Sequence, residues 1–334
     1  VGTGPFSLTE WKPGQYVVLS RFHDYSLRDD AAPDGFTGKK QALVDEVRFM
    51  VIPDPSSAKA ALMSNNIDLL PNVSASDAQE LKTTPGVQIS FSPIMAICGL
   101  LFQTNDPLLK DVRIRQAIAH SLDYGQMVNA LSNGTSEPNN SAIAQTSPFY
   151  SATAKQGYRY DPQLAQRLLK EAGYHGQPIK MIVNKRYSQM FDMGLLSQAM
   201  AVASGLNIQM ETLEWGTQLE RYQSGNYQMM AFSYSSRLDP ATSFDSLMGD
   251  KSKEPRKVWD NPQAQAVLRE AVRESDTAKR QALFDQLHSM MIHDTPMVII
   301  YNGTVAAALR DSVKGFHSWP VSSPRLWGVS LAAH

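Results

Sequence analysis

The stretch that most constrains this chain is residues 94–102, IMAICGLLF, an apolar run with no alternation of polar side chains. A strand with one wet face shows a period of two, so a run of this kind is covered on both faces. Segments of strand and helix period alternate on either side of it, as in an α/β chain whose sheets are flanked by helices. At 334 residues the chain is also too long for one core and suits two domains.

Composition removes several function classes. Hydrophobic residues at 43% and charged residues at 19% are globular values. A net charge of -1, with no basic run longer than Lys39-Lys40, gives no electrostatic case for nucleic acid. The longest apolar stretches, 94–102 and 297–301, are too short to span a membrane. No signal peptide is present, and Val1-Gly2-Thr3-Gly4-Pro5-Phe6 has the character of a strand entry inside a domain. Cys98, the only cysteine, cannot form an internal disulfide and is expected in the core with Ile97, Leu100 and Leu101. The seven histidines (His23, His120, His175, His288, His293, His317, His334) are scattered, and His288 and His293 do not share a helix face. No metal site and no cofactor are expected. Glycines form no phosphate loop, and no serine has a Gly-x-Ser-x-Gly context or a motif tying it to a histidine, so a hydrolase is disfavoured.

Local patterns predict the elements. Gly4–Leu8 and Tyr16–Arg21 are strands around a Trp11-Lys12-Pro13-Gly14 turn. Strands are expected at 44–52, 66–70 and 87–91, and helices at 56–64 and 76–82, the second opening with Ser76-Asp77. Asp111 caps a helix whose apolar face is Val112, Ile114, Ala117, Ile118 and Leu122. Asp161-Pro162 opens another that stops at Gly173. A strand at 178–184 leads through Lys185-Arg186-Tyr187 into a long helix closed by Gly205, then a strand at 206–213 and a helix at 215–223. Amphipathic helices follow at 261–273 and 276–294. A strand at 296–301 breaks at Asn302-Gly303, and 305–310 runs back as a strand.

Residues 225–244, GNYQMMAFSYSSRLDPATSF, suggest a ligand loop. Tyr227 to Phe232 is of strand length and breaks off at Ser233-Tyr234-Ser235-Ser236, small polar residues that leave backbone accessible. Arg237 and Asp239 follow, and Asp239-Pro240 fixes a turn. A buried strand ending in an aromatic ring, open backbone and a guanidinium suits a polar ligand. The plainer alternative is that Arg237 and Asp239 pair with each other in a surface loop.

Several motifs occur in one order. They are G-T-G-P-F-x-L-x-x-W-x-P-G from Gly2, M-S-N-N-I-D-L-L from Met63, D-V-R-I-R-Q-A-I-x-x-x-L-D from Asp111 and Y-D-P-x-x-A-x-x-L-L-x-E-A-G-Y from Tyr160. The loop pattern G-x-Y with Y-S-x-R-x-D-P from Gly225 completes the series. Together they resemble the extracellular solute-binding proteins of family 5, which serve ABC importers for peptides and nickel. The resemblance implies a periplasmic-binding-protein-like fold of two α/β lobes with mixed sheets and two hinge crossings. Ligand would be held between the lobes and passed to a membrane permease. Lobe one is expected at 1–96 plus 304–334 and lobe two at 97–303, with crossings near 95–99 and 301–304. In that family the GTGPF segment lies well inside the chain, so the resemblance also implies a piece lacking the N-terminal part of lobe one. The expected ligand set is Tyr234, Ser235, Ser236, Arg237, Asp239, Asn184, Arg186, Tyr187 and Asn302. Peptide-binding members place an acidic residue near the position of Arg237. A guanidinium there points instead to an anionic group such as a peptide carboxylate. The resemblance further implies an exported, periplasmic monomer that is not an enzyme, with a nickel-chelate or haem binder of the same fold as the alternative.

Overall fold

The computed structural model describes residues 2–29, 33–321 and 323–332. Val1, at the expected strand entry, and His334 lie outside the described residues. The chain forms two compact units, one from 1–92 with 305–334 and one from 93–304.

The first unit opens with a hairpin of β1 (Phe6–Lys12) and β2 (Tyr16–Arg21). Pro13-Gly14 makes its turn: Gly14 takes φ 73°, open to glycine at no steric cost, and Gln15 N donates to Lys12 O at 3.0 Å. After the short pair β3 (Pro33–Asp34) and β4 (Thr37–Gly38), β5 (Glu46–Met50) joins β2 to give the sheet β1-β2-β5. Asp54 caps α1 (Pro55–Met63) through Ser57 N at 2.7 Å. Beyond β6 (Leu69–Leu70), α2 (Ala75–Leu81) starts before the expected Ser76-Asp77, because the Ser74 hydroxyl reaches Asp77 N at 3.0 Å. β7 (Val87–Pro93) then leads out of this unit.

The second unit is built on β8 (Ile97–Phe102), all six residues of which are buried. It continues with α3 (Val112–His120), α4 (Tyr124–Ser132), α5 (Pro162–Glu171), β9 (Ile179–Val183), α6 (Ser188–Val202), β10 (Ile208–Thr212) and α7 (Trp215–Ser224). Then come β11 (Met229–Tyr234), α8 (Pro240–Leu247), α9 (Pro262–Arg273), α10 (Thr277–Asp294) and β12 (Met297–Tyr301). The five strands form one mixed sheet in the order β10-β9-β11-β8-β12. β9 is parallel to β10 and β11, and β8 is antiparallel to β11 and β12. Leu100, Phe102, Met181, Met229 and Ala231 pack on one face with Ile118 and Met193. Leu101, Ile182, Met230 and Phe232 pack on the other with Phe244 and Phe284. Two-sided burial of the 94–102 run is therefore met by helices above and below. α4 and α8 were not foreseen, although Asp123 and Asp239 cap them.

β13 (Thr304–Arg310) is the strand expected after the break at Asn302-Gly303. It enters the first unit between β6 and β7, with Arg310 N donating to Asp68 O at 3.0 Å. β14 (Val313–Lys314) and β15 (Ser330–Leu331) close the chain as a short pair. In the sheet β1-β2-β5, Val18 is the one buried residue of the three strands, while Trp11 is 66% exposed.

Candidate ligand site

The chain goes from β9 through α6 to β10 on one side, then through α7 to β11 on the other side of β9. The winding direction thus reverses at β9, which leaves a fork beyond the carboxyl ends of the parallel strands, where ligands of open α/β sheets bind. Ile97 pairs with Tyr234, and Tyr301 with Cys98. The start of β8 and the end of β12 therefore share that edge.

Asn184 follows β9 and is fully buried. Its Nδ2 donates to Gln218 Oε1 at 2.8 Å, and its Oδ1 accepts from Tyr187 N at 2.9 Å. Gln218 in turn donates to Ala231 O at 2.9 Å. Asn184 thus braces β9, α7 and β11. Tyr187, 37% exposed, stands edge-on to Trp215 with ring centroids 4.9 Å apart, and the Arg186 guanidinium lies 5.8 Å from the Tyr187 ring. The aromatic series continues inward through Phe232, stacked on Trp215 at 5.9 Å and on Tyr222 at 4.6 Å.

β11 runs through Tyr234, so the break expected from Ser233 begins two residues later, at Ser235. Ser233 fits the interior because its hydroxyl lies 3.2 Å from Cys98 Sγ on the paired strand. Burial pushes the Cys98 thiol up to about 11, which makes it a core group and a poor nucleophile. Burial, with Tyr222 beside it, holds the Tyr234 phenol well above its ordinary range, and Tyr222 donates to its oxygen at 3.3 Å. Ser235 is exposed and Ser236 half-buried; their carbonyls accept from Arg237 Nη1 at 3.0 and 3.2 Å.

Arg237 and Asp239 do not pair. Pro240 starts α8 and turns the Asp239 carboxylate onto Ala241 N at 2.8 Å. Both carboxylate oxygens also accept from Arg280 Nη2, at 3.0 and 2.9 Å. Arg280 is itself held over the rings of Phe149 and Phe284. Among the described residues, Arg237 is left with no carboxylate partner. Asn302, buried beyond β12, donates to Ala96 O at 2.7 Å and accepts from Asn139 Nδ2 at 2.8 Å and Gln145 N at 3.3 Å.

The fold therefore brings Asn184, Arg186 and Tyr187 beside Tyr234, Ser235, Ser236 and Arg237, at the adjacent strands β9 and β11. Asp239 faces α10, and Asn302 lies across β8 at β12. Trp215, Gln218, Arg280 and Asn139 were not foreseen. Trp215 carried a usable signal, an aromatic opening a helix directly after a strand; Arg280, 41 residues from Asp239, carried none.

The chain is 25% identical to the dipeptide-binding protein of Escherichia coli, over 99% of this chain and 61% of that protein. It is 24% identical to heme-binding protein A of Haemophilus influenzae, over 99% of this chain and 60% of that one. The solved structure of DppA, an ABC transporter-associated periplasmic binding protein from Helicobacter pylori in complex with peptide STSA, shares the fold. It matches with a TM-score of 0.83 at 23% identity, covering 99% of this chain and 63% of that chain. This chain thus spans less than two thirds of the length of each. Residues 1–255 match the profile of the bacterial extracellular solute-binding proteins, family 5 Middle, and the chain belongs to that family.

Proposed function

We propose that this chain is the ligand-capturing part of the substrate-binding component of an ABC importer, taking up peptides or peptide-like anionic molecules for a membrane permease. The observation that carries the anionic preference is Arg237. It stands at the carboxyl edge of the sheet with its neighbouring acid, Asp239, already engaged by Arg280. A guanidinium with open donors recognises a carboxylate in fork geometry. In this reading the lobes are 1–96 with 304–334 and 97–303, and the crossings near 95–99 and 301–304 let them close with few dihedral changes. The protein acts in the periplasm as a monomer. No helix among the described residues is long and apolar enough to cross a membrane.

The test is calorimetric titration of the full-length protein with short peptides, identified first by mass spectrometry of whatever it retains on purification. Arg237→Ala is expected to weaken binding by about 2–5 kcal/mol, and Arg237→Lys to recover only part of that, because an ammonium cannot form the fork. Unchanged affinity in Arg237→Ala removes the anchor. Binding of hemin or a nickel chelate in place of every peptide moves the protein to the other ligand classes of its family.

A further inference from the structure

Beyond the end of β12, the second unit contains a cavity of about 160 Å³ lined by Ile94, Thr135, Ser136, Glu137, Asn302 and Thr304, among others. Its walls are cross-tied: Ile94 N donates to Gly303 O at 3.0 Å, and Gln145 Nε2 donates to Pro138 O at 3.0 Å. Thr304 Oγ1 donates to Thr135 O at 2.8 Å and lies 3.1 Å from Ser136 Oγ. With the Thr304 proton spent on Thr135, Ser136 must be the donor to Thr304, so the Ser136 oxygen is left as an acceptor. Asn302 spends its amide on Ala96, Asn139 and Gln145.

Glu137 is the exception. Among the described residues no ion pair or hydrogen bond engages its carboxylate, and no lysine, arginine or histidine lines the cavity. The lining therefore carries one carboxylate residue, Glu137, itself exposed to solvent, beside a hydroxyl acceptor. Such a wall repels anions and matches a group with three donors and no acceptor.

We propose that this cavity seats a primary ammonium group, with Glu137 as its counter-ion and the Ser136 hydroxyl as a second acceptor. The consequence for the ligand rests on the capture reading above. Pro138 bridges to Tyr301, so the 136–138 segment lies next to β12 at the edge where β11 delivers Arg237. From β11 through β8 and β12 to that segment is three strand spacings, about 14 Å. An extended peptide of about four residues covers that distance. The site is thus matched to a short zwitterionic chain, its carboxylate on Arg237 and its amine on Glu137.

The test uses the full-length protein and propylammonium as probe, with propanol as the neutral control of similar size. Backbone amide signals of Thr135 to Glu137 and of Gly303 should shift saturably with propylammonium. The apparent affinity should fall about tenfold or more in Glu137→Gln, with Glu137→Asp retaining part of it. Equal shifts with propanol, or Glu137→Gln binding propylammonium like the wild type, overturn the proposal. Tetra-alanine and its N-acetyl form then test the link to the ligand by calorimetry. Acetylation should cost about tenfold in the wild type and almost nothing further in Glu137→Gln. Equal losses in both would take the peptide amine away from Glu137. Propylammonium bound while no peptide binds upholds the ammonium site and removes the peptide-capture reading.

Discussion

Arg280 decides the charge of the ligand loop from a distance. It donates to both oxygens of Asp239, gives its Nε to Ala271 O at 2.9 Å, and lies 5.1 Å from the Phe284 ring centroid. Arg280→Ala removes all three contacts and is expected to lower stability by about 1–3 kcal/mol. Arg237→Ala, which loses only bonds to its own loop, should change stability by no more than about 0.5 kcal/mol. Urea denaturation of both variants gives the ranking, and the reverse order would mean that Arg237, not Arg280, braces the turn. In the sequence Asp239-Pro240 reads as a turn, and nothing local marks the partner on α10, so the only pair visible there was with Arg237. His288 belongs at this scale too. Its Nε2 faces Gln156 O at 2.8 Å, its Nδ1 is buried without a partner, and burial depresses its pKa despite the nearby Asp285. The unfolded chain then takes up the proton first, so stability should fall as pH drops below about 6.5, the ordinary histidine value. Denaturant midpoints at pH 7.5 and pH 5 should differ more for the wild type than for His288→Gln; equal differences would show that the ring does not contribute.

Among the elements, β8 is the most legible in sequence and the least tolerant of change. A Cβ on Gly99 would come 2.2 Å from Val298 O on β12, so the two strands approach as closely as they do only because no side chain is there. Gly99→Ala should therefore cost about 1–3 kcal/mol, with accelerated amide exchange on β12 as the local sign. A stable variant with unchanged exchange would show that β12 shifts freely. The helices were visible where an acid, a proline and apolar spacing coincide, as at Asp161-Pro162, and missed at α4, although Asp123 caps it. The end of β11 was misplaced because Ser233 looks like a break in sequence, whereas in the sheet it meets the Cys98 thiol. β13 was legible as a strand, but its sheet was not, since strand pairing depends on residues far away in the chain. For the same reason Arg186, Tyr187 and Tyr234 were visible as site candidates, and Trp215 and Gln218, which hold them together, were not.

At the scale of the molecule, the second unit is one continuous segment with cores on both faces of its sheet, and the first is assembled from two pieces. Residues 93–304 made alone should unfold in one cooperative transition with β8 and β11 the most protected in amide exchange. Residues 1–92 made alone lack β13 and should show no such transition. A cooperative transition in 1–92 would mean that β6 and β7 need no strand between them. The place of β13, between β6 and β7, also governs the order in which the polypeptide can mature. The strand that joins those two is synthesised only after every residue of the second unit has been made, so the middle of the chain can complete its core while the flanking sheet is still open. Until then β6 and β7 expose unpaired backbone next to apolar side chains, and any factor that guards the nascent chain has its longest task at the portion made before the second unit.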